Sequence, residues 1–326
     1  MTKPLTVAIL AGGLTHEREV SLHSGRRMAT VLREAGMQVK LLDVDAGLIQ
    51  TLDAMAPDVV WPLLHGSTGE DGSLQDLLTL TGIPYVGSTP AACRMASDKA
   101  VACAILAREG LAVPESMTLP QTLLREVGVA PVLDLIKNKF GFPLVVKPAQ
   151  GGSALGVTIV ESGAALPGAM VDCYAYGDEA RIEQYIVGRE IAVSVLNLDG
   201  TPCALPPVEI VTDGPYDYDA RYNAGRSEYF VPARLDAQTL DAVKQAAEKV
   251  HAVLGLGQIS RTDIILEEDG TIRVLDVNVA PGTTETSLFP QAVASYAQDE
   301  EIVPGQVYAR IIEATVGAAG SETTTA

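Results

Sequence analysis

Apolar runs and amphipathic stretches alternate along the first part of the chain. Val7 to Ala11, Val39 to Asp43 and Val59 to Leu64 read as strands, with Pro84-Tyr85-Val86 as a shorter one. Helical spacing over about Arg18 to Ala35, stopped by Gly36, and over about Ser73 to Thr81 predicts two helices between them. Such βαβ alternation predicts a parallel sheet with helices on both faces. Ser97 to Arg108 predicts a further helix, capped by Ser97-Asp98.

The pattern changes from about Thr118. Leu144 to Lys147 predicts a strand, a Gly-rich turn follows, and Gly156 to Glu161 returns as a hairpin. Glu183 to Tyr185 is a short strand, and the alternation of Ile191 to Leu198 places it in a new, antiparallel sheet. Asp213 to Phe230 is polar, Tyr-rich and Gly-punctuated, the composition of a long functional loop. Leu240 to Leu254 is an amphipathic helix, and Ile264 to Leu266 and Ile272 to Val277 are strands about a tight turn. The expected fold class is α/β and α+β. Length allows two or three domains, and a flexible tail is expected over 317–326.

Composition narrows the function. The net charge of −18 lacks the basic footprint of a nucleic-acid binder and suits an anionic membrane no better. A few cations placed in a cleft still suffice for a small anion. No stretch reaches the ~18 apolar residues of a membrane helix, and the N-terminal apolar run is too short for a signal peptide. Four cysteines without C-x-x-C spacing suit a reducing cytoplasm.

The segment Arg261 to Asn278 carries the most informative chemistry. With Asp269-Gly270 as a two-residue hairpin turn, Asp263 faces Asp276 and Arg261 faces Asn278. Direct partners share a sheet face, as do residues two apart. Two opposed carboxylates repel unless a cation lies between them. Carboxylate and amide oxygens without His or Cys suit Mg²⁺, which uses one or two carboxylates together with substrate phosphates. A solvated hairpin would carry similar charges, but Val277, Val279, Ala280 and Pro281 bury the region.

Two further stretches are open to more than one reading. Lys147 to Gly156, with Gly151-Gly152-Ser153-Ala154 at its centre, cradles a phosphate on backbone N–H groups or is a flexible turn. It is not a P-loop. Glu17 follows Gly12-Gly13, where ligands bind in open α/β sheets. It either caps the following helix or holds a substrate ammonium. His65 ends the third strand as a structural rim residue or a substrate contact.

In their order along the chain, Gly12-Gly13…Glu17-Arg18-Glu19-Val20-Ser21, His65-Gly66…Gly69-Glu70-Asp71-Gly72, Asp98-Lys99, Val146-Lys147-Pro148, Tyr216-Asp217-Tyr218…Tyr222, Arg261-Thr262-Asp263 and Asn278…Pro281-Gly282-Thr283-Thr284…Ser287-Leu288 resemble the D-alanine–D-alanine ligase family of the ATP-grasp superfamily. The resemblance spans about residues 5 to 315. It implies an ATP-grasp architecture: an N-terminal parallel-sheet domain (1–95), a small central domain (96–186) and a C-terminal antiparallel-sheet domain (187–316), with ATP between the last two. It implies that Lys99 and Lys147 contact ATP phosphates, that Glu183, Ile186 and Glu190 hold adenine and ribose, and that Arg221 joins them at the nucleotide. Ser153 belongs to the loop that closes over the phosphates. Glu17 takes the ammonium of the first amino acid and is linked through Ser153 and Tyr222 to the mobile loop. His65 lies near that substrate, Arg261 and the Gly282 backbone stabilise an oxyanion, and Ser287 and Leu288 hold the second amino acid's carboxylate. Asp263, Asp276 and Asn278 take two Mg²⁺ ions, with Mn²⁺ able to substitute. The implied reaction joins two D-alanine molecules through an acyl phosphate for peptidoglycan precursors, in a cytoplasmic homodimer.

Departures from the family pattern bear on the substrate. Asp276-x-Asn278 replaces the usual Glu-x-Asn, and Gly151-Gly152-Ser153-Ala154 replaces Glu-Gly-Ser-Ser. Arg221 replaces a Lys, keeping charge but not point-like geometry. Thr284-Glu285-Thr286, where the family often has Ser-His, borders the second-substrate pocket. These changes leave open a relative that joins another amino-acid pair, or a cyclising ligase of antibiotic biosynthesis. The intact Lys99, Lys147, Arg261, Asp263 and Asn278 argue against a nucleotide-binding protein without turnover, and the lack of G-x-G-x-x-G argues against a nicotinamide oxidoreductase.

Overall fold

The computed structural model describes residues 3–222 and 225–322. The N-terminal alternation folds as β1 (Thr6–Ala11), α1 (Arg18–Glu34), β2 (Gln38–Asp43), α2 (Leu48–Met55), β3 (Val59–Pro62), α3 (Ser67–Glu70), α4 (Ser73–Thr81), α5 (Pro90–Ser97) and α6 (Lys99–Arg108). β1 lies between β2 and β3 and runs parallel to both, the expected parallel sheet. It is buried from Val7 to Ala11, which explains its unbroken apolar run. Pro84 to Val86 contributes only an isolated bridge between Tyr85 and Val60. The helix expected from Ser97 is α6, which starts at Lys99 just after α5 ends at Ser97, and Asp98 caps it as expected by accepting bonds from the Ala100 and Val101 amides at 3.0 Å each.

The central segment forms β4 (Ser116–Pro120), α7 (Gln121–Val127), α8 (Val129–Phe140), β5 (Leu144–Pro148), β6 (Thr158–Val160), α9 (Leu166–Tyr174) and β7 (Glu179–Gln184). Its antiparallel sheet has the order β4-β7-β5-β6, and β5–β6 is the expected hairpin. The remainder forms β8 (Arg189–Leu196), β9 (Cys203–Ala204), β10 (Val208–Thr212), α10 (Tyr218–Tyr222), β11 (Ser227–Phe230), α11 (Ala237–Val253), β12 (Ile259–Leu266), β13 (Ile272–Asn278), α12 (Leu288–Asp299) and α13 (Pro304–Glu322). The strands pair antiparallel in the order β11-β10-β8-β12-β13, with β9 on β8.

Two expectations change here. The segment read as loop from Asp213 to Phe230 contains α10 and β11. Asp217 nucleates α10 by accepting from the Ala220 amide at 2.9 Å, and β11 pairs with β10. The C-terminal helix α13 runs on through Gly317 to Glu322, so the expected tail is helical over that stretch, and 323–326 lie outside the described residues. Alanines around Gly317 favour helix continuation.

The first and third sheets share one core, in which Trp61, Phe289 and Tyr308 pack with Ala192 and Leu196. Leu144, Ile182 and Cys173 belong to a separate core under the central sheet.

Candidate active site

The hairpin β12–β13 places Asp263 opposite Asp276 and Arg261 opposite Asn278, as expected. The route to that register is different. Nearer the turn, Leu266 pairs with Ile272 and Ile264 with Val274, one residue off a two-residue Asp269-Gly270 turn. The actual loop is longer, closed by Glu267 N–H on Thr271 O at 3.0 Å. A bulge at Leu275 restores the register at the carboxylates. With the extra residue, Leu275 and Asp276 both line the cleft although they are neighbours in sequence.

Each opposed carboxylate meets a side-chain cation. Arg261 donates from Nε and Nη2 to Asp263 at 2.6 and 2.9 Å, a bidentate pair, and Asn278 Nδ2 donates to Asp263 Oδ2 at 3.2 Å. Lys99 Nζ donates to both oxygens of Asp276 at 2.8 and 2.9 Å, and to Gly151 O at 3.1 Å. Burial opposes ionisation of Asp276, but Lys99 and Lys147 outweigh it and hold its pKa below the usual carboxylate range. Burial likewise opposes the Lys99 charge, and Asp276 and Glu70 reverse the effect, so its pKa is raised. Among the described residues, no group of three His, Cys, Asp or Glu side chains could hold a metal alone. Two carboxylates and one amide fit Mg²⁺ bound jointly with phosphate oxygens.

Lys147 stands near the end of β5 with Nζ 2.7 Å from Glu183 Oε2. Arg181 Nε lies 2.5 Å from Glu183 Oε1. Glu183 is thus buried on the cleft wall with its carboxylate turned to two cations. Ile186 and Glu190 line the same cleft of about 1380 Å³. Burial raises the Glu190 pKa to about 7. Arg221 stacks on the Tyr216 ring at 4.6 Å and donates Nε to Tyr216 O at 3.2 Å. Tyr222 ends α10, and its side chain lies outside the described residues.

A smaller cavity of about 50 Å³ adjoins the cleft and is lined by Glu17, His65, Ser153, Gly282, Ser287 and Leu288 among others. Glu17 precedes α1 yet makes no capping bond, so the cap reading fails. Instead it is buried and accepts a hydrogen bond from the Ser153 hydroxyl. Burial raises its pKa against the opposing effect of that bond. Gly66 has φ +85°, and a Cβ there would lie 2.6 Å from Glu17 Oε2, so the carboxylate and a side chain cannot both fit. Neighbouring Glu70 is raised to about 8 by burial and then by Glu17. His65 Nε2 lies 3.0 Å from Ser24 Oγ, and burial lowers its pKa to about 4, so the ring is neutral near pH 7.

Ser287 Oγ accepts from the Thr284 amide at 3.0 Å and does not cap α12, which starts at Leu288. The first-turn N–H groups of α12 are therefore not taken up by the Ser287 side chain. A Cβ on Gly282 would lie 2.9 Å from Ser287 Oγ, so glycine is needed for this approach. Glu285 is exposed and absent from the cavity lining, where Thr286 stands instead. Sequence reasoning missed Arg181 and Leu275. The alternation Arg181-x-Glu183 on a strand was a usable signal for the first, whereas strict alternation hid the second.

Comparisons with known proteins identify the family of the chain. A family model described as D-ala D-ala ligase C-terminus matches residues 105–303, and one described as D-ala D-ala ligase N-terminus matches residues 48–88. The chain is 44% identical over 289 residues to a D-alanine–D-alanine ligase of Anaeromyxobacter dehalogenans, covering 88% of this chain and 91% of that one. It superposes on a D-alanine–D-alanine ligase from Bacillus anthracis with a TM-score of 0.81 at 28% identity, covering 98% and 99% of the two chains. The ligase from that organism complexed with ATP gives a TM-score of 0.79 at 26% identity, with the same coverage. With relatives aligned along most of its length and the ATP-grasp fold in place, the chain belongs to the D-alanine–D-alanine ligase family.

Proposed function

We propose that the protein joins two D-alanine molecules into D-alanyl-D-alanine, converting ATP to ADP and phosphate, in peptidoglycan precursor synthesis. One observation carries the reading: the large cleft and the small cavity meet at Ser153, whose hydroxyl is bonded to Glu17. A nucleotide's terminal phosphate and a small amino acid's carboxylate would therefore meet at one point.

Glu17 holds the ammonium of the first D-alanine, and neutral His65 packs beside it. A carboxylate oxygen of that substrate bonds to the γ-phosphorus as the bond to the β–γ bridging oxygen breaks and ADP leaves. Lys99 and Lys147 hold phosphate oxygens, while Ile186, Glu190, Arg221 and the wall at Glu183 enclose the nucleoside end. Mg²⁺ held by Asp263, Asp276 and Asn278 would supply positive charge to the phosphoryl oxygens. Ser287 and the Leu288 N–H at the start of α12 orient the second D-alanine by its carboxylate. Its amine attacks the acyl-phosphate carbon, and Arg261 and the Gly282 N–H carry the negative oxygen. The carbon–oxygen bond then breaks, inorganic phosphate leaves and the amine gives up a proton. Losing one oxyanion donor typically costs about 2.7–4 kcal/mol. The segments 213–222 and 225–230 shield the acyl phosphate from water.

The position of Glu285 outside the cavity removes the main objection to D-alanine as second substrate. Units over 1–95, 96–186 and 187–316, a homodimeric assembly and a cytoplasmic location complete the reading. Four unpaired thiols support that compartment, and among the described residues no helix is long and apolar enough to cross a membrane. The test is phosphate release from ATP–Mg²⁺ with D-alanine and with a panel of D- and L-amino acids. D-alanine-dependent release is expected. Release only with another amino acid would overturn the substrate, and no release with any would overturn the ligase reading.

A further inference from the structure

We propose that Arg181 is a positioning residue that keeps Lys147 positively charged in effect toward the nucleotide, by occupying one oxygen of the Glu183 carboxylate that would otherwise neutralise it. The inference rests on the ligase reading only in that ATP is the phosphate donor. Lys147 and Arg181 are direct cross-strand partners on β5 and β7. Two like charges in that relation repel. Glu183, two residues along β7 and on the same face, bridges them with one oxygen each, at 2.7 Å to Lys147 and 2.5 Å to Arg181.

The group is dry: side-chain exposure is 10% for Lys147, 4% for Glu183 and 2% for Arg181. Two cations and one carboxylate leave one net positive charge, and only Lys147 and Glu183 reach the cleft lining. Were Arg181 apolar, Lys147 and Glu183 would form a neutral pair at the phosphate site. Arg181 gains little for folding, since a buried ion pair is often no more stabilising than apolar packing, and its Nη2 has no hydrogen-bond partner among the described residues. Its placement is explained by charge on the cleft side of the sheet.

The experiment measures ATP–Mg²⁺ affinity by calorimetry, which does not depend on the amino-acid substrate, together with KM for ATP and for D-alanine. Arg181→Met is expected to weaken ATP by about tenfold, the scale of one charge-assisted contact, with KM for D-alanine unchanged. The double variant Arg181→Met/Glu183→Gln removes both the cation and the carboxylate, restores the net charge on Lys147, and is expected to bind ATP more tightly than Arg181→Met while staying short of wild type, because Glu183 also belongs to the wall at the nucleoside end. Arg181→Lys, which keeps the charge in a gentler substitution, is expected to stay within about threefold of wild type. ATP affinity unchanged in Arg181→Met, or a double variant no better than the single one, or a tenfold loss in Arg181→Lys would each overturn the proposal.

Discussion

Asp263 has three roles in one carboxylate: it receives the Arg261 guanidinium, it receives the Asn278 amide, and it faces Asp276 across the hairpin. Removing its charge while keeping its shape separates these roles. Asp263→Asn is expected to lower turnover at least tenfold with the fold intact, because Arg261 loses its counter-charge and the metal site one anionic oxygen. Turnover measured at saturating Mg²⁺, with a thermal melt as control, checks this; unchanged turnover would refute the ligand assignment. At this scale the sequence was most legible where residue type alone dictates chemistry. Arg261 stood out through the hairpin register and Lys147 through its place at a strand end before Gly151-Gly152, whereas Lys99 was reached only through the family resemblance and Glu17 was left between a helix cap and an ammonium ligand. Glu183 was visible as a residue but its orientation was not, since that depends on Arg181 two positions earlier and Lys147 on another strand.

Elements were legible where periodicity was strong and became uncertain where local bonding decided. α1, α4 and α11 stand close to their expected limits. The bulge at Leu275 had no signal in the letters, because the expected turn and the actual longer loop arrive at the same pairing of Asp263 with Asp276. The packing of α11 on β12 gives a pH-dependent test. His251 Nδ1 lies 2.8 Å from Ser260 Oγ, and burial lowers its pKa from 6.5 to about 4. Below about pH 6.5 the unfolded chain takes up a proton that the folded chain refuses, so stability is lost as pH falls toward 4. His251→Asn keeps a hydrogen-bonding group near the Nδ1 position and cannot titrate. Its denaturation midpoint is expected to fall less than that of wild type between about pH 7 and 5. Parallel pH profiles for the two proteins would show that His251 does not titrate as described.

At the scale of the molecule, the first and third sheets share a core while the central sheet keeps its own, and the cleft takes residues from both sides of that seam. A ligand bound there to the folded state stabilises by about 2.7 kcal/mol at a hundred times its dissociation constant. ATP with Mg²⁺ is expected to raise the melting temperature in a concentration-dependent way, and chelation with EDTA to remove most of the rise. A shift insensitive to EDTA would show that nucleotide and metal are not bound together. The strand–helix alternation made the first unit legible in the sequence, whereas the shared core was not, since it joins Trp61 to Phe289 and Tyr308 across most of the chain.

The bond between Ser153 and Glu17 also has a thermodynamic consequence. Ser153 and Glu17 each line both the large cleft, proposed to take the nucleotide, and the small cavity, proposed to take the first amino acid. Where one contact is common to two binding sites, a change made by either ligand is felt by the other, and linkage requires the effect to be reciprocal. By whatever factor D-alanine alters the affinity for ATP, ATP must alter the affinity for the first D-alanine by the same factor. A single hydroxyl is thus placed to couple the occupancy of the two sites before any bond is made or broken.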